Sequence, residues 1–201
     1  MKRAGDTYLF YLFIISQSIG ALYSIKSSVP QKILRTVYFS LVQPYFIYAM
    51  PIWASNHNSK DFESLLRLQK KAVRIVSNKT IKVDGMFQHS KPIFKKLNIL
   101  TIHNLYSYTS ACLAKKILCT GIPTSLYRLF EQSFRSSRII LPKFKKEKTK
   151  ANSFVFKSAK ILNFLATNKI EYKNTTLSSF KINLKRFLMF RQNISLRNDP
   201  N

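Results

Sequence analysis

Acid is what this sequence has least of: eight Asp and Glu stand against 34 Lys and Arg in 201 residues, a formal net charge of +26. The acids are scattered singly except for Asp61 and Glu63, and no Asp-Asp pair occurs anywhere. Two-metal hydrolysis or nucleotide polymerisation needs carboxylates converging within a few ångströms, because they supply the hard anionic oxygens that hold divalent cations. Asp61 and Glu63, two apart on a helix, point in different directions and read as first-turn anions that complement the helix dipole.

Other shortages narrow the chemistry further. Only Gly5, Gly20, Gly85 and Gly121 are present, so no glycine-rich phosphate loop of either common pattern exists. Cys112 and Cys119, seven apart on an apolar stretch with no His or acid at ligand spacing, read as buried small hydrophobes of a reducing compartment. His57, His89 and His103 lie far apart, and none adjoins a Ser or Cys in a nucleophile setting. The sequence thus offers no catalytic residue, no metal ligand set and no cofactor motif. The apolar run over residues 8–15 is interrupted by Gln17 and Ser18, too short to span a bilayer, and lacks a small-residue cleavage site. It predicts a buried first helix.

What is plentiful is apolar and basic. The hydrophobic share is 46%, with 16 Phe and 10 Tyr, enough for a packed core rather than a disordered basic tail. A charge excess this large repels itself and favours a polyanionic partner, nucleic acid first and an anionic membrane surface second.

The stretch LLRLQKKAVRIVSN, residues 65–78, concentrates the pattern. At 3.6 residues per turn Leu65, Leu68, Ala72, Ile75 and Val76 share one side, and Arg67, Lys71, Arg74 and Asn78, with Lys70 beside them, share the other. Asn58 or Ser59 is placed to cap this helix. A face built only for solubility mixes signs, whereas nothing after Glu63 offsets these cations before Asp84. Further clusters interleave cations with aromatics: Phe94 with Lys95 and Lys96, Arg128 with Phe130, Phe134 with Arg135, Phe144 with Lys145 and Lys146, and Phe187 with Arg186. Cations neutralise phosphate and aromatic faces stack on unpaired bases, although most of these Phe are expected in the core. The predicted nucleic-acid-binding residues are Arg67, Lys70, Lys71, Arg74, Lys95, Lys96, Lys145 and Lys146.

The predicted fold is mainly α, a helical bundle of five or six helices with a short β-hairpin or extended arm over residues 138–156. A helical region over 1–120 precedes a basic C-terminal region over 121–201. Pro30 opens a second helix with Ile33, Leu34, Val37, Leu41 and Tyr45 apolar, which Pro44 should kink or end. A turn at residues 91–100 leads to a long helix with Leu105, Tyr108, Cys112 and Leu113 inward. A final helix, capped by Ser178 or Ser179, turns Phe180, Leu184, Phe187 and Leu188 inward and Lys181, Lys185 and Arg186 outward, before a frayed tail from Arg191.

The order of segments IGALYSIKSSVPQKILRTVYFSLVQPYFIYAMPIW, LLRLQKKAVRIVSN, PIFKKLNIL, SFVFKSAKILNFL and SSFKINLKRFL resembles the region following the polymerase core in LINE-type, jockey-like non-LTR retrotransposon reverse transcriptases, over residues 15–189. The LYxSLxxPxxxYxxxxW spacing of that region is met by Val37, Tyr38, Ser40, Leu41, Pro44, Tyr48 and Trp53, and Leu68, Gln69, Lys70, Lys71, Ala72, Val73 and Arg74 follow it. The match departs where the family shows Trp-Asn, here Leu162 and Asn163, and where its His-Thr before the P-x-F segment is here Gln88, His89 and Ser90. The resemblance implies a thumb and post-thumb fragment of an RNA-directed DNA polymerase. It also implies that the magnesium-binding palm is not within this chain, that RNA or an RNA/DNA duplex is the partner, with little sequence specificity and no small-molecule substrate, and that the setting is the nucleus or cytoplasm. Two rival readings are a small basic protein held on a membrane by residues 8–15 and a remnant of the element without function.

Overall fold

The computed structural model describes residues 4–48, 50–53, 59–77, 82–83, 86–87, 90–130, 139, 154–170 and 174–195, with backbone alone at 4–9, 11, 52–53, 59–61, 82–83, 86–87 and 193–195. Of the described residues 81% are helical, which makes the fold mainly α. In chain order the elements are α1 (Ala4–Ser24), α2 (Gln31–Val37), a π turn (Tyr38–Val42), α3 (Gln43–Ile47), α4 (Met50–Trp53), α5 (Ser59–Ser77), β1 (Lys82–Val83), β2 (Met86–Phe87), α6 (Lys91–Leu97), α7 (Ile102–Thr120), α8 (Thr124–Tyr127), α9 (Phe154–Thr167) and α10 (Leu177–Ser195). Two compact units form, one from Met1–Tyr48, Asn58–Ile102 and Gln192–Asn201, the other from Ala49–His57 and His103–Arg191.

In the first unit, α1 buries Ile15, Ser18, Ile19 and Leu22 and packs on α5, the π turn and α3. The 3–4 spacing of those residues gives a single inward stripe. The apolar run at the start of α1 is less buried than its composition suggests, since Phe10 and Phe13 are exposed. No helix among the described residues is long and apolar enough to cross a membrane.

The second predicted helix is three linked pieces, and its inward stripe is Leu34, Tyr38, Val42 and Phe46. Ile33 and Tyr45, expected inward, are exposed, while Val37 and Leu41 are half-buried. Pro44 has no N–H to close the regular ladder, and one turn before it the helix widens, with Gln43 N–H donating five residues back to the Tyr38 carbonyl. Four-residue steps drift on an α-helix. The wider turn offsets that drift and keeps all four side chains on one face. The helix ends at Tyr48, beyond Pro44.

α6 ends on Asn98 in the left-handed region (φ 54°), where Ile99 N–H donates to Phe94 O at 3.0 Å and Asn98 N–H to Lys95 O at 3.1 Å. The connection after it is held by two buried glutamines. Gln69 Nε2 donates to Leu100 O at 2.8 Å, and Gln192 accepts from Thr101 N–H at 3.0 Å and donates to Ile99 O at 3.3 Å. Backbone polar groups in a buried loop need such partners. Gln192 therefore belongs to the packed structure and not to a frayed tail.

In the second unit the core comes from Leu105, Ala111, Ala114 and Ile117 of α7, Val155, Ala159, Leu162 and Leu165 of α9, and Phe180, Leu184 and Leu188 of α10. Leu105 is inward as expected, but Tyr108, Cys112 and Leu113 are only half-buried, and Lys115 is buried in their place. Cys119 is exposed, contrary to expectation. β1 pairs antiparallel with β2, where Lys82 is opposite Phe87 and Val83 opposite Met86, and Ile139 is an isolated bridge residue. The hairpin expected over 138–156 is unconfirmed: Ile139 is a bridge residue, while residues 154–156 begin α9. The apolar Phe-Val-Phe run there is outweighed by the helical period of Val155, Ala159, Leu162 and Leu165. Residues 140–153 lie outside the described set. α10 is capped not by Ser178 or Ser179 but by Thr176, whose Oγ1 accepts the Ser179 N–H at 3.2 Å.

Candidate nucleic-acid interface

α5 carries the two stripes that its sequence implies. Leu65, Ala72, Val73, Ile75 and Val76 are buried against α1, α2 and α6, and Leu68 is half-buried beside them. Arg67, Lys71 and Arg74 are exposed on the other side, with Lys70 half-buried at its edge. Asn58 and Asn78 lie outside the described residues, and Glu63 is exposed in the first turn.

α6 packs on α5 and buries Ile93, Phe94 and Leu97, which leaves Lys95 and Lys96 exposed within the same unit. These two also sit in the last turn of α6, where cations complement the negative end of the helix. Arg35 serves the packing of the unit, because its Nε donates to Leu97 O at 2.8 Å and its guanidinium lies over the Phe39 ring at 4.8 Å. Six of the eight predicted binding residues therefore occur together on one unit. Lys145 and Lys146 lie outside the described residues, as do Phe134, Arg135 and Phe144.

Of the three described aromatics beside cations, two belong to the core, as expected of most. Phe94 and Phe130 are buried, and Phe187 is half-buried with its ring centroid 6.2 Å from that of Phe164. Among the described residues Phe94, the aromatic that adjoins the α6 cations, is buried, so these cations offer charge suited to phosphate rather than to base edges.

Sequence reasoning overlooked the residues that hold this surface in place. Gln69 interrupts the cation run of α5 yet is fully buried, within 3.4 Å of the Tyr38 hydroxyl as well as bonded to Leu100. Its Oε1 is buried with no hydrogen-bond partner. Burial pushes the Tyr38 hydroxyl pKa well above the usual tyrosine value, outweighing the hydrogen bond to Gln69. The one signal of Gln69 in the sequence was its place at i+4 from Leu65, on the apolar side. Asn163 acts similarly in the second unit: its amide donates to Ile139 O and accepts from Ile139 N–H, both at 2.8 Å, as a strand neighbour would.

Among the described residues no group of three or more His, Cys, Asp and Glu is placed to hold a metal ion. His57 and His89 lie outside the described set, and His103 is exposed near the start of α7. No protein-family model, no curated protein and no solved structure matches the chain.

Proposed function

We propose that the chain is a nucleic-acid-binding thumb and post-thumb fragment of a LINE-type, jockey-like reverse transcriptase, with the basic face of α5 as its principal phosphate-contacting surface. The observation that carries this reading is the arrangement of α5. Arg67, Lys71 and Arg74 project outward from a helix whose opposite side is packed on three neighbours. A row of cations on a fixed backbone neutralises a row of phosphates with little ordering of the chain on binding. The resemblance adds support, because Tyr38 and Gln69, one from each of its two most specific segments, meet in the core at 3.4 Å.

The chain has no Asp-Asp pair, and its role is binding rather than synthesis. RNA or an RNA/DNA duplex is the partner, recognised with little sequence preference. Fluorescence anisotropy with labelled RNA of several sequences tests this. Similar affinities that fall linearly as log K against log salt support it. Absence of binding at low salt, or primer extension by the purified chain with magnesium, contradicts it.

A further inference from the structure

A cleft of about 410 Å³ opens between α7, α9 and α10 in the second unit, away from the α5 stripe in sequence and in a different compact body. That volume falls in the range of roughly 300–1,000 Å³ that small-ligand sites occupy. Among the described residues three cations line it, Lys157, Lys160 and Arg191, together with Tyr106, Phe164 and the Asn104 amide, and no acid is among them. The Arg191 guanidinium lies over the Phe164 ring at 4.5 Å, which presents a flat cationic plate at the cleft. Phe164 is 39% exposed despite its size.

We propose that this cleft seats one unpaired nucleotide of a bound strand, its phosphate against Lys157 and Lys160 and its base on the Arg191–Phe164 stack. Each half of the ligand has a matching feature. A phosphate is drawn by converging cations, and a base needs a planar partner, which an arginine stacked on an aromatic ring supplies. Duplex bases are already stacked on one another, so the cleft selects single-stranded elements where the α5 stripe does not. Burial lowers the Lys157 pKa, and an arriving phosphate opposes that effect by favouring the charged amine. The pocket deepens the nucleic-acid reading and rests on it.

The test compares two RNA duplexes with the same number of phosphates, one blunt and one ending in unpaired adenines, against the full chain. The unpaired end is expected to bind at least about fivefold more tightly. Phe164→Leu, which changes no charge, and the pair Lys160→Gln with Arg191→Gln should each erase that advantage. Lys116→Gln with Lys181→Gln, two exposed positions that do not line the cleft, should preserve it. Loss of the advantage on adding millimolar AMP shows that the free nucleotide also fits, whereas an advantage that persists assigns the site to the strand alone. Equal affinities of wild type for both duplexes, or an advantage that survives Phe164→Leu, overturns the pocket and leaves the α5 surface standing. Failure of both duplexes to bind at low salt overturns the nucleic-acid reading and the pocket with it.

Discussion

Gln69 stands fully buried although two lysines follow it in sequence, and its amide is one of two that hold the connection after α6. Gln69→Ala removes the donor to Leu100 O, leaves that buried carbonyl unpaired and opens a small cavity. The expected loss is about 2–4 kcal/mol in chemical denaturation. A loss below about 1 kcal/mol would show that water or a shifted backbone replaces the bond. The cysteines give a second residue-scale expectation. Burial pushes the Cys112 thiol up to about 11, against smaller opposing effects from Lys181 and Tyr108. A raised thiol pKa leaves roughly one part in a thousand as thiolate at pH 8, and the thiolate is the nucleophile. Maleimide at pH 8 should therefore label exposed Cys119 in the folded chain and reach Cys112 only on unfolding, which peptide mass spectrometry resolves. Rapid labelling of both contradicts the burial of Cys112.

At the scale of elements, Thr176 rather than Ser178 or Ser179 caps α10. Thr176→Ala should cost about 1 kcal/mol in a thermal or urea melt, while Ser178→Ala and Ser179→Ala change little. The reverse ranking would place the start of the helix two residues later. The cap illustrates what the sequence could and could not disclose. Long periodic helices were legible: α5 was readable together with its buried and exposed faces, because nineteen residues repeat one pattern. The stripe of α2 and α3 departs from Ile33 and Tyr45 because the π turn before Pro44 changes the rotation per residue, and the proline marks a kink or an end without its geometry. Residues 154–156, Phe-Val-Phe, have strand-like composition over too short a span to compete with the helix they begin. Gln69, Gln192 and Asn163 escaped notice because a polar side chain paired with distant backbone looks, in sequence, like any surface amide. The candidate interface was legible as charge, but the glutamine framework beneath it was not.

For the whole molecule, a formal charge of +26 means that any polyanion attracts the chain to some degree. Binding alone therefore establishes little, and the central question is whether affinity resides in the α5 face or in the total charge. The direct measurement is the salt dependence of RNA affinity for two quadruple variants that remove equal charge. One carries Ala at Arg67, Lys70, Lys71 and Arg74. The other carries Ala at Lys116, Arg128, Lys181 and Arg186, all in the second unit. Both should keep the wild-type melt, since Ala is as good a helix former and the substituted residues leave the apolar core intact. Removing one phosphate-neutralising cation lowers the magnitude of the slope of log K against log salt by about 0.7–0.9, so the α5 variant should bind more weakly with a slope flatter by up to about 3.6. The second variant is expected to keep most of the wild-type slope. If the two variants lose the same affinity and the same slope, binding belongs to net charge and the assignment of an interface to α5 is wrong.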